Sequence, residues 1–171
     1  MRFNVYGPVP VPRDGHRVSR HRDERRAFWA EVESAAQGLS GACGCYILVL
    51  RRRAWYVGLA ERQSFKKECF THHKLLLYNE ALDSRRGRPS LLFLAKETPR
   101  GRFAKPTRAG HRSVRMLENV LIGLAIRRNR KLLNIRGTKL LREMIVPGVL
   151  NTERGTARAL PVQALRRSLG L

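Results

Sequence analysis

Acidic residues are scarce in this chain. Among its 171 residues only 13 are Asp or Glu, against 35 Lys and Arg, so the formal net charge is +22 and the sequence pI is near 11.5. The imbalance grows along the chain, from 7 basic and 5 acidic residues over 1–43 to 11 and 5 over 44–98 and 17 and 3 over 99–171. An excess of cations on this scale is typical of proteins that neutralise phosphates. The composition therefore predicts a nucleic-acid partner.

Cysteines are few and long apolar runs are absent. The three cysteines, Cys43, Cys45 and Cys69, lack the paired spacing of a zinc site, and we expect reduced thiols that pack as small apolar residues. No apolar run approaches the roughly 20 residues that cross a bilayer, and the first residues lack the apolar segment of a secretory signal. The sequence predicts a cytoplasmic protein with no membrane association.

What is present is enough for one hydrophobic core. Apolar residues make up 43% of the chain, and its length suits a single domain, residues 1–171, without disulfides or a structural metal. Residues 1–21 contain a run of alternating prolines and are predicted to form an extended N-terminal arm. A helix is predicted over 23–37, with Phe28 and Trp29 turned toward the core and covering one side of the hairpin that follows.

A hairpin is the most distinctive local pattern. Residues 45–50 and 54–57 are β-branched and aromatic, and a turn of three arginines separates them. Tyr46 follows Gly44 by two residues, and Tyr56 precedes Gly58 by two. The pattern predicts two antiparallel strands with neighbouring phenols.

The residues after the hairpin indicate a helix and a third strand. A helix is predicted from Ser64 to Ala81, with Phe65, Cys69, His72 and Leu76 on the arc that faces the sheet and Lys67, Thr71, Lys74 and Tyr78 on the opposite arc. Residues 90–95 form an apolar run typical of a buried strand, and the basic segment 98–110 is predicted to be a loop.

A long helix is predicted over 112–129, and one position on it stands out. Glu118 lies within an apolar stripe that includes Val114, Leu121 and Ala125. A buried carboxylate without a partner is costly, so Glu118 should pair with a cation. The residues alone leave open whether that cation is an arginine or a metal ion. Short helices are predicted over 138–144 and 157–169.

The hairpin contains the pattern Gly-x-Tyr, followed about ten residues later by Tyr-Val-Gly. In this pattern it resembles the GIY-YIG endonuclease superfamily. Leu117-Glu118-Asn119-Val120-Leu121-Ile122 is similar to the setting of that family's metal-binding Glu, and Leu132-Leu133-Asn134 to its Leu-Asn element. The resemblance covers residues 41–136 and implies an α+β fold with a small antiparallel three-stranded sheet flanked by helices. The predicted N-terminal helix and a C-terminal helical extension over 137–171 add to this core.

The resemblance implies a metal-dependent endonuclease that hydrolyses phosphodiester bonds in DNA. One Mg²⁺ or Mn²⁺ would be held by Glu118, Tyr46 would be or position the general base, and Tyr56 would contact the phosphate or its water. His72 would either assist the base or pack as a core residue, and Tyr46 could likewise be a packed strand residue. Contacts to nucleic acid, DNA rather than RNA, are expected from Gly58, Lys66, Lys67, Lys74 and Asn134.

Two departures from the family pattern bear on activity. Leu59 stands where the family carries Lys, and Glu68 stands where it carries a catalytic Arg. A carboxylate cannot stabilise phosphate charge as a guanidinium does, so that role would pass to Arg62, Lys66 or Lys67. The alternative function is a catalytically impaired module of the same fold that binds DNA or RNA.

Overall fold

The computed structural model describes residues 1–134, 138–152 and 158–171, and its architecture is α+β. Its strands are β1 (Arg2–Pro10), β2 (Arg13–Asp14), β3 (Arg17–Val18), β4 (Gly44–Leu50), β5 (Arg53–Ala60) and β6 (Pro89–Glu97). Its helices are α1 (Arg22–Ala35), α2 (Phe65–Glu68), α3 (His72–Ser84), α4 (Arg112–Arg128), α5 (Thr138–Glu143) and α6 (Leu160–Ser168), with a 3₁₀ turn at Leu39–Gly41.

The main sheet is antiparallel with strand order β1-β6-β4-β5. The three predicted strands are present, but the prediction of a three-stranded sheet is wrong because the N-terminal arm supplies a fourth. β1 pairs with β6 from Arg2 opposite Glu97 to Pro10 opposite Ser90. The prolines that suggested an unpaired arm are tolerated because β1 is an edge strand, where a missing N–H can face away from the sheet. β2 and β3 form a separate small hairpin.

The β4–β5 hairpin is confirmed, with a tighter turn than predicted. Leu50 pairs with Arg53, so the turn contains only Arg51 and Arg52. Both have positive φ, 48° and 63°, as a two-residue type I′ turn requires.

The sheet lies between two helical layers because side chains alternate along its strands. Tyr46 and Leu48 of β4 belong to the larger core cluster, which includes residues of α1 and α3. Ile47 packs on the smaller cluster, which includes Ile122 and Ile126 of α4. Phe28 and Trp29 are buried as predicted, and their rings meet Phe93 of β6 and Phe70.

The predicted helix from Ser64 to Ala81 is in fact two helices. α2 ends at Glu68 and α3 begins at His72, so the helical phase is reset in between and the predicted faces are wrong beyond Cys69. His72 is exposed and Leu76 is 51% exposed, whereas Tyr78, placed on the outer arc, is fully buried.

The predictions for the segments after β6 agree with the structure where it describes the chain. α4 matches the long predicted helix, α5 matches the prediction over 138–144, and the segment 98–110 has no helix or strand of its own. α6 confirms a terminal helix, but its predicted start at residue 157, like residue 136 at the end of the predicted core, lies outside the described residues. The three cysteines are buried, as predicted. Within the described part of the chain, no helix combines the length and apolar character that a membrane crossing needs.

Candidate functional site

A cleft of about 1060 Å³ opens beside β5, where α3 and α4 approach from opposite faces of the sheet. It is lined from β5 and the residues after it, from α2 and α3, from α4, and from the segment before residue 135. The lining residues are Tyr56, Leu59, Glu61, Arg62, Gln63, Glu68, His73, Lys74, Leu77, Arg115, Glu118, Asn119, Ile122, Leu133 and Asn134.

Three carboxylates line this cleft: Glu61, Glu68 and Glu118. They are a concentration of acid in a chain that has only 13 acidic residues in all. Because they are not equivalent in their contacts, each has a different role.

Glu61 fixes α4 to the end of β5. It is 8% exposed, and it accepts hydrogen bonds from the backbone N–H of His111 at 2.8 Å and from Arg115 Nη1 at 3.1 Å. His111 is the residue before the first turn of α4, so the carboxylate also lies at the positive end of the helix dipole. Gly110 makes room for it, since a Cβ there would fall 2.5 Å from the Glu61 carboxyl carbon.

Glu68 belongs to a second polar group, centred on Lys74. Lys74 Nζ lies 3.3 Å from Glu68 Oε1 and donates a hydrogen bond of 2.5 Å to Tyr56 Oη. Gln63 donates to the other Glu68 oxygen. Burial alone would lower the pKa of Lys74, but the hydrogen bond that it donates to Tyr56 and the charge of Glu68 raise it above its usual value, so the ammonium stays charged.

Glu118 is the carboxylate without a partner. It makes no hydrogen bond or ion pair with any residue that the structure describes, and it is partly buried on α4. Burial raises the pKa of Glu118 to about 7; Lys74 opposes this shift, while Glu61 and Glu68 add to it. A carboxyl group in this state gains free energy from any cation that enters the cleft.

Tyr46 lies behind the cleft rather than in it. It is fully buried, its ring centre is 6.1 Å from that of Tyr56, and it is not among the lining residues. Its hydroxyl has no hydrogen-bond partner among the described residues. Burial, followed by the neighbouring Tyr78, raises the pKa of Tyr46 well above its usual range, so the two phenols differ in access to solvent and reactants.

The expected histidine is also on a different surface. His72 is exposed and does not line the cleft, which corrects its predicted position on the sheet-facing arc. His73, the next residue, is exposed and lines the cleft, because α3 starts at His72 and this start sets the faces of the helix.

The basic residues predicted to contact nucleic acid or to replace the missing arginine fall into two groups. Lys74 and Arg62 line the cleft, Lys74 partly buried and Arg62 exposed. Lys66 and Lys67 are exposed on α2, outside the cleft lining. Of the three residues proposed to substitute for the missing arginine, Arg62 is therefore the one that lines the cleft.

Gly58 and Asn134 have packing roles that the sequence did not indicate. Gly58 is buried opposite Tyr46, and a Cβ on it would fall 2.3 Å from Tyr46 Cζ. Gly44, similarly, would carry a Cβ 2.0 Å from the Leu94 carbonyl oxygen. Both glycines are thus required by close packing, and neither presents open backbone to a ligand.

Asn134 forms hydrogen bonds with backbone groups on the outer edge of β5. Its side chain accepts from Val57 N–H at 2.9 Å and donates to Val57 O at 2.6 Å, in the manner of a neighbouring strand. Leu133 N–H bonds Trp55 O, and Asn129 Nδ2 bonds Ala54 O. Residues 129–134 therefore cover the edge of β5.

Glu61 and the role of Lys74 were missed from the sequence. Acidic residues are so few in this chain that Glu61, which directly follows the second strand of the hairpin, could have been singled out as a site residue. Thr71 was a signal for Lys74, because threonine is a favoured residue at a helix start and marks the break before α3.

No cluster of three or more His, Cys, Asp or Glu side chains arranged to hold a metal occurs within the described residues. Glu118 alone fits one divalent ion, since it is an unpaired oxygen donor open to a cleft, and Mg²⁺ commonly takes one or two carboxylates and keeps several waters. Glu61 is less suited because its oxygens are already engaged.

No protein-family model, curated protein or solved structure gives a significant match to this chain.

Proposed function

We propose that the protein is a divergent GIY-YIG endonuclease that hydrolyses phosphodiester bonds in DNA with one divalent cation. The observation that carries the proposal is the unpaired Glu118 carboxylate, which faces the same open cleft as the Tyr56–Lys74 pair. The basic character of the chain adds to it, because a polyanion is the substrate that a charge of +22 attracts.

Glu118 would hold the Mg²⁺ or Mn²⁺ ion. When bound, such an ion neutralises charge on the scissile phosphate and on the leaving oxygen. Glu118 gains from this arrangement, because a cation beside a carboxylate of raised pKa restores its ionised form at neutral pH.

Tyr56 would contact the phosphate. Its oxygen already accepts a hydrogen bond from Lys74, so its own proton is free to be donated to a phosphate oxygen. Tyr46 supports this contact from behind by packing against the Tyr56 ring.

Lys74 would take over the electrostatic role of the absent arginine. Glu68, which stands at the arginine's position in the sequence, becomes the residue that orients Lys74 in the cleft. Lys74 is a point charge rather than a bidentate fork, so it stabilises phosphate charge with less geometric selectivity. Arg62 would add a second, exposed cation at the cleft.

The test is cleavage of supercoiled, linear and branched DNA with Mg²⁺ or Mn²⁺, compared with EDTA. Glu118→Gln should lower the cleavage rate about 100-fold or more while duplex affinity in EDTA stays within about twofold. Glu80→Gln, on the exposed face of α3, is the matched control and should cleave like the parent. Equal cleavage by Glu118→Gln and the parent would overturn the proposal.

The second candidate is a non-catalytic module that binds DNA or RNA. It is favoured by the sealed Tyr46 hydroxyl and by the pairing of Glu61 and Glu68 with cations of the chain itself. Salt-sensitive binding without cleavage of any of these substrates would select it.

A further inference from the structure

Three segments meet at the end of the sheet opposite the cleft. The β4–β5 turn is one, and the loop between α3 and β6 lies against it: a Cβ on Gly87 would be 2.9 Å from Leu50 Cδ1 and 3.2 Å from Arg51 Cγ. The β2–β3 hairpin is the third, since Arg13 Nη1 donates to the Gly87 carbonyl at 3.1 Å. We call this surface the basic tip and define it by Arg13, Arg51, Arg52, Arg85, Arg86 and Arg88.

The basic tip is a concentrated and unneutralised positive surface. All six arginines are exposed, and none forms an ion pair with a carboxylate of the described residues. The acids in or next to these segments in the sequence are Asp14 and Asp83, and Asp14 lies 3.6 Å from His21 Nε2. Like charges at this density repel each other, so the surface gains free energy when an anion binds to it.

The backbone of the turn gives an independent reason to look for a ligand. Arg51 and Arg52 both occupy the left-handed region, which disfavours side chains with a Cβ. Asn-Gly is the residue pair that a type I′ turn prefers. Neither arginine side chain forms a hydrogen bond within the described structure, so the fold does not explain the choice of arginine at two unfavourable positions. Strain kept at exposed residues is a reason to infer function.

We propose that the basic tip binds the phosphate backbone of duplex DNA, independently of sequence, as a contact separate from the cleft. At about 3.3 Å per residue, β5 separates Arg52 from Glu61 by roughly 30 Å, the length of about nine base pairs. This inference extends the proposed function by a second contact to the same duplex. It does not require the cleft to be catalytic.

The experiment replaces the turn by its preferred sequence, Arg51→Asn with Arg52→Gly. Binding of a random-sequence 20-base-pair DNA duplex is measured in EDTA over a range of salt, and thermal unfolding is measured in parallel. The two substitutions should have opposite effects on the two properties. Duplex affinity should fall about tenfold near 0.1 M salt, and the slope of log K against log salt should flatten by about 1.8. The unfolding midpoint should rise by about 2 to 4 °C, because the turn is relieved of strain.

Arg22→Gln with Arg26→Gln is the matched control. It removes the same charge from exposed positions of α1, beside Asp23 and Glu24, and it should leave the salt slope unchanged. Arg86→Gln with Arg88→Gln removes charge from the basic tip without touching the turn, and it should flatten the slope to the same extent as the turn variant.

Two results would overturn the inference. One is an unchanged salt slope in both tip variants. The other is undiminished duplex binding together with weakened binding to vesicles of anionic phospholipid, which would make the tip a membrane contact. Binding is measured in EDTA on uncleaved duplex. The result for the basic tip can therefore be interpreted even if the protein proves not to be a nuclease.

Discussion

The ammonium of Lys74 lies 2.5 Å from the phenolic oxygen of Tyr56 and 4.8 Å from the centre of its ring. This pair joins α3 to β5 at the wall of the cleft. Since Lys74 also contacts Glu68, a single buried cation orders the phenol and the carboxylate on either side of it.

Removing that cation should destabilise the protein. Lys74→Met leaves Glu68, whose side chain is 17% exposed, without its cationic partner, and the free energy of unfolding should fall by about 2 kcal/mol. Adding Glu68→Gln should recover about 1 kcal/mol of this loss, whereas cleavage should remain low. Urea unfolding of the two single variants and the double variant measures the coupling. Lys67→Met, at an exposed position of α2, is the control, and strictly additive effects would contradict the pairing.

Glu118 should make stability depend on pH in the metal-free protein. Its pKa is raised from 4.5 to about 7 on folding, so between these values the folded state binds more protons than the unfolded state. Stability is therefore greatest below about pH 4.5 as far as this group is concerned and falls as the pH rises to about 7. Because Glu118 is only partly buried, solvent screening reduces the loss, which is on the order of 1 to 2 kcal/mol. Glu118→Gln should abolish this contribution, which is seen as the difference between parent and variant in denaturation at pH 5 and pH 8 in EDTA.

Tyr46 and Tyr56 should respond differently to loss of their hydroxyl groups. Tyr46→Phe removes a buried hydroxyl that has no partner in the described structure, so stability should stay the same or rise by up to about 1 kcal/mol and cleavage should persist. Tyr56→Phe removes the group that Lys74 contacts and should reduce cleavage. Plasmid nicking and chemical denaturation of both variants provide the comparison. If Tyr46→Phe alone were inactive, the phosphate contact would have been assigned to the wrong phenol.

Replacing Gly58 and replacing Gly123 by alanine should have opposite effects on stability. A Cβ on Gly58 would collide with the Tyr46 ring, so Gly58→Ala should cost about 2 to 3 kcal/mol. Combining it with Tyr46→Leu, which removes the colliding atoms, should cost less than the sum of the two separate changes. Gly123 on α4 has open space at its Cβ, and Gly123→Ala should stabilise by about 0.5 to 1 kcal/mol through helix propensity. Thermal unfolding distinguishes the two, and a stable Gly58→Ala variant would mean that the Tyr46 ring can move.

The sequence predicted those elements whose signals are local. β4, β5 and β6 are runs of β-branched and aromatic residues between glycines, prolines and arginines, and α4 has a continuous apolar stripe. β1 was missed because its prolines suggest an unpaired chain and its partner, β6, lies about 90 residues away. The orientation of α3 was missed because periodicity counted across the break at Cys69–Thr71 gives the wrong phase.

The candidate site was predictable to the same extent. Tyr56 and Glu118 line one cleft, as the motifs led us to expect. Tyr46 does not, because Gly58 admits its ring into the core, and this close approach depends on the pairing of two strands. The contact between Lys74 and Tyr56 depends on where α3 starts, and it could not be read from residue spacing.

The two margins of the main sheet are protected by different means. On β5, the amides of Asn129 and Asn134 and the backbone of Leu133 occupy groups that a foreign strand would need. On β1, Pro8 and Pro10 offer no N–H, and the register shifts between Tyr6 and Val9. Cross-molecule strand addition is thereby discouraged at both margins, so the sheet of one molecule offers no ready edge to the sheet of another.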